Sequence, residues 1–346
     1  MLRLLVLQGS NPSHFYRCVA PLEGLASDGL LDLTYASPSL KLLQQEWDAV
    51  LMFEAYSAES HEFMREAQNR GVPVLYDIDD YTFEIPPSYG GFELFYERGK
   101  GQPTWRIVWL ARNLAKADLV VCSTQELSTR LRQVAATTVV IENGLDFDSW
   151  DATRRQVDKG SDGAFTVGWH GSYNHWDDLQ LIVEPMTQFM RESPTVRFIV
   201  CGMPEFAWAF PPGLRTRLEL YPFTENMEEV RRIVRTFDVG LAPACRSAFN
   251  SCKSDLRVLQ YGAAGVAAIG SPVPYGDILS DGRGIVADSS AAWLDAMRQL
   301  RISPSDRRQF ANELYGHVKA TRTADSAGML WWSVLSELAE MRTKGR

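Results

Sequence analysis

The most constraining feature of the sequence is an alternation of short apolar runs with amphipathic helical segments. Five continuous apolar runs occur in the first part of the chain, at residues 2–7, 48–53, 72–76, 119–122 and 139–141. Uninterrupted runs of this kind are typical of parallel strands that are covered on both faces. Helical periodicity separates the runs, for example over residues 58–70 and 105–117. The first part of the chain is therefore predicted to form a doubly wound α/β unit.

The same alternation restarts after a polar, glycine-containing stretch at 151–163, which predicts a linker. Further strands are predicted at 165–169, 196–201, 218–221, 239–242 and 266–270. We therefore expect two Rossmann-like units, over about 1–150 and 160–320, and a last helix over about 324–346. Ligands of doubly wound folds bind at the carboxyl ends of the strands, so the cleft between the units is the expected site.

Composition excludes several classes of function. The sequence has 35 basic and 43 acidic side chains, a net charge of −8, which argues against a nucleic-acid partner. No apolar run is long enough to span a membrane, and the opening run is too short for a signal peptide, so a cytoplasmic location is expected. The five cysteines are widely spaced without a C-x-x-C pair, which indicates neither a zinc site nor a disulfide framework.

The segment around Lys253 is the first candidate for a binding site. Ser254 is a predicted N-cap, and Gly265 is predicted to follow the end of the helix that starts there. A helix start beside a strand end presents free N–H groups to an anion such as a diphosphate, and Lys253 adds a full positive charge. The alternative is a surface lysine before a capped helix.

Small-residue loops follow the first strand of each unit. Gly171 in the second unit would let the backbone approach a ligand closely. His170 and His175 lie near it without a third ligand, so a metal site is not expected. Arg17, on the helix predicted from about residue 14, could pair with a phosphate or an acceptor carboxylate, or form a surface salt bridge.

Three carboxylates, Asp77, Asp79 and Asp80, follow a predicted strand directly. The pair Asp77 and Asp79 matches the D-x-D pattern of metal-dependent sugar transferases with a different, single-domain fold. The loop could also cap the next turn, or its carboxylates could accept hydrogen bonds from sugar hydroxyls. We favour the last interpretation over a metal site, because no further ligand cluster accompanies the loop.

A long connection rich in glycine and aromatic residues, at 88–102, precedes a helical stripe that begins at Trp105. Core packing explains such a stripe most simply. The alternative is a peripheral contact with the inner face of a membrane, which is suggested by nearby basic residues that include Arg106 and Lys116.

Taken in order, these motifs resemble those of a retaining glycosyltransferase with the GT-B fold, of the broad family 4 type known as glycosyl transferases group 1. The resembling stretches are 76–87, 117–125, 140–151, 166–180, 237–244 and 249–272. The resemblance implies sugar transfer from a nucleotide-diphosphate donor, without a metal or other cofactor and with retained anomeric configuration. It also implies that the second unit holds the donor, the first holds the acceptor, and the last helix crosses back onto the first unit.

The sequence departs from the family pattern at two places in the donor site. Members commonly carry two glutamates eight residues apart, and the corresponding positions here are Cys252 and Gln260. Many members also carry an arginine and a lysine early in the second unit, and residues 168–179 contain neither. Lys253, with Arg246 as a second candidate, would then supply the positive charge.

Under this resemblance each candidate residue has an expected part in the reaction. The donor-binding residues would be Gly9, Ser10, Gly171, Ser172, Tyr173, Lys253, Ser254, Asp255, Leu256 and Gln260, with Asp255 near the ribose or as a structural cap. The acceptor-binding residues would be His14, Tyr16, Arg17, Asp77 and Trp105, with Asp79 and Asp80 positioning hydroxyls at the reacting centre. Lys253 would stabilise the leaving diphosphate. That phosphate would help to remove the acceptor proton, so no protein nucleophile is expected.

Two other functions are compatible with the same fold. A sugar-nucleotide epimerase would use His14, His170 and His175 as acid and base groups. A degenerate domain that binds a glycan or a partner is suggested by the missing glutamates. The acceptor of a transferase stays open among a saccharide, a lipid-linked saccharide and a protein.

Overall fold

The computed structural model describes residues 1–7, 13–154 and 164–344, in which two parallel β-sheets each carry helices on both faces. The first sheet contains β1 (Leu2–Leu7), β2 (Leu31–Ala36), β3 (Ala49–Phe53), β4 (Val74–Ile78), β5 (Leu119–Cys122) and β6 (Thr138–Val140). Its strand order is β2-β1-β3-β4-β5-β6, and every pairing is parallel.

The second sheet repeats this arrangement. It contains β7 (Phe165–His170), β8 (Val196–Cys201), β9 (Leu218–Tyr221), β10 (Val239–Ala242), β11 (Ala267–Gly270) and β12 (Ile285–Val286). Its strand order is β12-β11-β10-β7-β8-β9, again parallel throughout. The predicted fold class of two doubly wound α/β units is confirmed, and two strands were missed, β2 and the two-residue β12.

Helices of both units pack on the sheets through apolar faces. The first six are α1 (Ala20–Ser27), α2 (Ala58–Asn69), α3 (Phe92–Phe95), α4 (Trp105–Lys116), α5 (Gln125–Leu131) and α6 (Phe147–Arg154). The others are α7 (Trp176–Glu192), α8 (Met227–Val234), α9 (Ala248–Ser251), α10 (Leu256–Ala263), α11 (Pro272–Leu279), α12 (Ser290–Ile302), α13 (Pro304–Thr321) and α14 (Ala324–Lys344). Apolar layers fill both faces of each sheet, as the continuous apolar strands require.

The last helix, α14, packs on the first unit beside α1, so the predicted crossing back is confirmed. Trp331 is fully buried there, and its indole N–H donates to the carbonyl of Arg17 at 3.0 Å. Gly328 lies so close to α1 that an added Cβ would be 2.8 Å from the carbonyl oxygen of Pro21. The small residue therefore permits the close helix contact.

The chain passes between the units twice, and the two passages touch each other. The N–H of Leu145 donates to the carbonyl of Arg322 at 2.9 Å, and the N–H of Ala324 donates back to Leu145 at 2.6 Å. A Cβ on Gly144 would lie 2.3 Å from the carbonyl oxygen of Thr323, so only glycine fits at this crossing. Phe147 and Trp150, which follow at once, already pack in a core layer of the second sheet.

A buried ion pair joins the segment after β1 to the end of β4. The guanidinium of Arg17 donates to both carboxylate oxygens of Asp77, at 3.0 and 2.5 Å, and both side chains are almost inaccessible to solvent. Arg17 also donates to the carbonyl of Ile141 and, at 3.1 Å, to the side-chain oxygen of Asn143. The π-helical turn Phe15–Val19, which replaces the start of the predicted helix, carries this arginine.

We expect the Arg17→Met variant to lose roughly 3–5 kcal/mol of unfolding free energy, because it leaves the Asp77 carboxylate buried without a partner. Denaturant unfolding monitored by fluorescence measures the loss. Arg3 pairs with Asp32 at the surface, so Arg3→Met, the matched control, should lose less than about 1 kcal/mol. The double change Arg17→Met with Asp77→Asn should recover part of the loss. Equal losses of unfolding free energy for Arg17→Met and Arg3→Met would contradict the stabilising part assigned to the buried pair of Arg17 and Asp77.

Candidate active site

A cleft of about 610 Å³ lies between the carboxyl ends of the two sheets. Residues from the first unit line one side, including His14, Tyr16, Asp79, Asp80 and Tyr89. The other side is lined by residues that follow β7, β8 and β9 and by the start of α10. The strands of a parallel sheet end at the same edge, so residues that are distant in sequence meet here.

Lys253 projects into this cleft from the second unit. Its ammonium donates to Asp80 of the first unit at 3.1 Å and lies 4.4 Å from the centre of the Phe249 ring. Burial alone would lower the pKa of Lys253, but the charge of Asp80 and its hydrogen bond raise it above its usual value. The lysine therefore carries a fixed positive charge and bridges the two units.

Arg257 is a second cation in the cleft, and sequence reasoning missed it. Its Nε donates to the carbonyl of His170 at 3.0 Å, and its terminal nitrogen donates to the hydroxyl of Tyr275 at 3.2 Å. Its guanidinium also lies 5.2 Å from the centre of the Trp169 ring. The available signal was its position in the first turn of α10, four residues after Lys253.

The start of α10 differs from the prediction. Asp255 occupies the N-cap, and its carboxylate binds Arg322 through two bonds of 2.9 and 2.7 Å instead of capping the helix. Asp255 does not line the cleft, so its carboxylate holds Arg322 and does not make the predicted contact with the donor. Ser254 lines the cleft and accepts a bond of 2.8 Å from Asn143. Gly265, with φ +68°, follows the helix end as predicted.

The acidic loop divides into a buried and a cleft-facing part. Strand β4 extends to Ile78, two residues beyond the prediction, so Asp77 belongs to the strand and pairs with Arg17 in the interior. Burial raises the pKa of the Asp77 carboxyl, and the charge of Arg17 opposes that shift. Neither Arg17 nor Asp77 lines the cleft, so the prediction that they bind the acceptor is corrected. The alternative of a surface salt bridge for Arg17 is also wrong, because the pair is buried.

The other two carboxylates, Asp79 and Asp80, do line the cleft. An oxygen of Asp79 accepts a long bond of 3.4 Å from Asn143, and Asp80 binds Lys253. Burial raises the pKa of Asp80, the charge of Lys253 lowers it, and Asp79 raises it. Within 1–7, 13–154 and 164–344, no group of three or more His, Cys, Asp or Glu residues is arranged to hold a metal ion.

Three histidines border the cleft, and burial lowers the pKa of each. The pKa of His170 falls to about 3 and that of His175 to about 4, with the charge of Arg257 adding to the effect of burial in both. The Nε2 atoms of His14 and His170 are buried without a hydrogen-bond partner among the residues that the structure describes. All three imidazoles are therefore neutral at physiological pH.

Gln260 connects the units on the side of the cleft near α1. Its amide donates to the hydroxyl of Tyr16 at 2.8 Å, and both residues line the cleft. Burial raises the pKa of Tyr16 to about 12, so the hydroxyl stays protonated. Cys252 instead lies in the core beneath the first sheet and does not line the cleft.

The remaining predicted residues are placed as follows. Gly171, Ser172 and Leu256 line the cleft. Tyr173 is exposed and does not line it; its ring lies 2.1 Å from where a Cβ on Gly90 would be. Trp105 is exposed on α4 and also does not line the cleft, which corrects its expected acceptor contact. Gly9 and Ser10 lie outside the described residues.

Comparison with known families and structures agrees with this arrangement. Residues 164–301 match the family described as glycosyl transferases group 1. No curated protein sequence matches the chain.

The overall structure is similar to those of glycosyltransferases. HepE of Anabaena, solved with UDP and glucose, is 13% identical with a TM-score of 0.69, over 97% of this chain and 100% of that one. Sucrose-phosphate synthase of Thermosynechococcus elongatus is 12% identical with a TM-score of 0.70, over 98% and 99%. A glycosyltransferase of Rickettsia africae is 10% identical with a TM-score of 0.66, over 97% and 98%. These similarities confirm the GT-B fold.

We expect Lys253→Met to destabilise the protein by roughly 1–3 kcal/mol at pH 8, because Asp80 then stays buried without its cation. Loss of the lysine raises the pKa of Asp80 in the folded protein further above its unfolded value. The folded protein then binds the proton of Asp80 more tightly than the unfolded chain does. This variant therefore loses stability as the pH rises from the unfolded pKa of Asp80 to its folded pKa.

Urea unfolding at pH 5 and pH 8 tests this. The control is the double variant Lys253→Met with Asp80→Asn, which should show a smaller pH-dependent difference from wild type. If single and double variants lose the same free energy at both values of pH, the ion pair does not stabilise the cleft.

Proposed function

We propose that this chain, which has the GT-B fold and whose residues 164–301 match glycosyl transferases group 1, is a metal-independent, retaining glycosyltransferase. It transfers a sugar from a nucleotide-diphosphate donor to a saccharide, lipid-linked or protein acceptor. The observation that carries the proposal is the pair of cations in the cleft, Lys253, which is partly buried, and Arg257, which is buried. Both belong to the segment that matches the family.

The two cations suit the chemistry of the leaving group. Cleavage of a nucleotide sugar leaves a nucleoside diphosphate on which negative charge develops. Preformed positive groups in a partly buried cleft stabilise that charge without reorganising during the reaction. In this proposal the diphosphate lies between Lys253, Arg257 and the backbone of Gly171 and Ser172, all of which border the same cavity.

Protein cations also explain why a metal is not required in this proposal. The carboxylate best placed to bind one, Asp80, already holds the ammonium of Lys253 at 3.1 Å. When the donor arrives, its diphosphate can share that ammonium with Asp80. The charge that a divalent ion would contribute to the leaving group then comes from Lys253 and Arg257 instead.

Retention requires either a protein nucleophile, through two successive inversions, or attack by the acceptor from the face that the diphosphate leaves. Asp79 and Asp80, the carboxylates of the first unit in the cleft, are engaged by Asn143 and Lys253. Engaged carboxylates are poor nucleophiles, which supports a mechanism in which the leaving phosphate takes the acceptor proton. Asp79 and Asp80 then orient hydroxyl groups, and His14 and Tyr16 face the acceptor.

An epimerase is less well supported by the same cleft. It would need a histidine that carries a proton at neutral pH to serve as the acid. The pKa values of His170 and His175 fall to about 3 and about 4. Neutral imidazoles suit hydrogen-bond contacts with hydroxyls better than proton donation.

We also propose that an exposed face of the first unit contacts an anionic membrane surface. Leu94, Trp105 and Val108 are exposed on α3 and α4. Arg106 and Arg112 stack on Trp105 and Trp109 at 5.0 and 4.8 Å. Amphipathic surfaces with aromatic and basic residues bind at the interface of anionic bilayers. None of the described helices is long and apolar enough to cross a membrane.

A thermal-shift screen tests the donor site. UDP-, GDP-, dTDP-, ADP- and CMP-sugars are tested with and without EDTA. A donor at a hundred times its Kd should stabilise the protein by about 2.7 kcal/mol. We expect one base to raise Tm, unchanged by EDTA and lost in Lys253→Ala and Arg257→Gln.

Lys41→Ala, which removes an exposed lysine, serves as the control and should keep the full shift in Tm. Turnover of the selected donor is then followed with EDTA present, and the product's anomeric configuration is read by NMR. An EDTA-sensitive reaction or an inverted product would refute the proposed mechanism. The absence of any shift would favour a degenerate glycan-binding domain.

Vesicle flotation tests the membrane contact. The protein should float with vesicles that contain anionic phospholipid and not with purely zwitterionic ones, and binding should weaken at high salt. Trp105→Ala with Arg106→Ala should reduce flotation several-fold because both the apolar and the basic contact are lost. Trp208→Ala is the matched control, since Trp208 is also exposed and stacks with an arginine, but in the second unit. Equal losses in both variants would reject this face.

A further inference from the structure

We propose that the imidazole of His175, oriented by Asp178, accepts a hydrogen bond from a hydroxyl group of the sugar that is being transferred. This contact would make His175 a specificity-determining residue for the donor sugar. The inference rests on the proposed function, because it requires a nucleotide-sugar donor in the cleft. It concerns the sugar half of the donor and is separate from the diphosphate contacts of Lys253 and Arg257.

The hydrogen bonds around Asp178 fix the direction of this imidazole. His175 ends a turn immediately before α7, and its Nδ1 lies 2.8 Å from one carboxylate oxygen of Asp178. The other oxygen accepts from the backbone N–H of Cys245 at 2.7 Å and from the side-chain amide of Asn250 at 2.9 Å. Burial raises the pKa of Asp178, but these bonds and His175 lower it overall. An ionised carboxylate only accepts hydrogen bonds, so Nδ1 must donate.

The second ring nitrogen, Nε2, is then the atom available to a ligand. A neutral imidazole that donates through Nδ1 presents a lone pair at Nε2. Arg257 and Lys253 both act on His175 and, together with burial, keep it neutral against the charge of Asp178. His175 lines the same cleft as those two cations. A hydrogen-bond acceptor therefore stands beside the positive groups of the donor site.

The chemistry of Nε2 selects its partner. Ionised phosphate oxygens only accept hydrogen bonds, so a neutral Nε2 cannot bind them. A sugar hydroxyl can donate, and the transferred sugar is attached directly to the diphosphate. The ribose of the nucleotide is also linked to the diphosphate and carries hydroxyls, so the comparison of each nucleotide sugar with its own nucleoside diphosphate decides between them. We assign the contact to the transferred sugar. A sugar that lacks the hydroxyl would leave a buried acceptor unpaired, which enzymes discriminate against strongly.

The decisive test compares each nucleotide sugar with its own nucleoside diphosphate by isothermal titration. The pairs are UDP with UDP-glucose, GDP with GDP-mannose, dTDP with dTDP-glucose and ADP with ADP-glucose. For the pair that binds wild type, His175→Leu should weaken binding of the nucleotide sugar roughly tenfold or more. The affinity for the nucleoside diphosphate should stay the same within about twofold. His175→Gln, which restores an acceptor oxygen, should recover part of the loss.

Asp178→Asn tests the tautomer directly. Its amide oxygen can still accept from Cys245 and Asn250, which turns the NH₂ group toward Nδ1 of His175. The imidazole would then carry its proton on Nε2 and become a donor. We expect this variant to lose affinity for the nucleotide sugar as His175→Leu does, while the nucleoside diphosphate binds normally. Normal diphosphate binding also shows that the variant is folded.

His61→Leu is the matched control, because the Nδ1 of His61 is likewise held by a polar side chain, Asn113, but outside the cleft. It should bind both ligands of the pair as wild type does. If His175→Leu weakens the binding of both ligands equally, the residue contacts the nucleoside diphosphate and the inference is overturned. Unchanged binding of both ligands would also overturn it. If no pair binds wild type, the proposed function fails, and this inference fails with it.

Discussion

The arrangement of the molecule depends on the hydrogen bonds of one buried residue, Arg17. Its guanidinium binds Asp77 at the end of β4 and the carbonyl of Ile141 after β6. Its carbonyl accepts the indole N–H of Trp331 from α14. Segments from the start, middle and end of the chain thus share one residue. A buried charge without these partners would carry a large desolvation penalty, so each segment holds the others in place.

The same interactions continue from the interior into the cleft. Asn143 accepts from Arg17 and donates to Ser254, which lines the cleft. Arg322, on the other passage between the units, binds both the carbonyl of Asn143 and the carboxylate of Asp255. The start of α10 is therefore fixed to both passages.

Much of the fold could be predicted from the sequence, because continuous apolar runs are a local property of parallel strands. Residues of the site that follow strands or begin helices, as Lys253, Ser254 and Asp80 do, could be predicted from local sequence, whereas Gln260, inside α10, was identified only through the family resemblance. Arg17 and Asp77 were misassigned because their pairing joins distant segments, and nothing local distinguishes a buried arginine from a ligand-binding one. Arg257 was missed because a basic residue inside a helical stripe looks like an exposed one. His175 was considered only as a metal ligand or as an acid–base group of an epimerase, and its contact with Asp178, three residues later, was not foreseen.

The electrostatics of the cleft separate two kinds of binding group. Lys253 stays charged because Asp80 raises its pKa, and that charge suits a diphosphate. The same lysine and Arg257 lower the pKa of His175, which keeps its imidazole neutral. In the proposed function each cation serves twice, because it would attract the phosphates and also preserves a neutral acceptor beside them. A cleft with carboxylates in place of that imidazole would bind hydroxyls too, but its charge would oppose the approaching diphosphate. Neutral acceptors next to fixed cations would allow one cavity to bind both halves of the proposed nucleotide sugar.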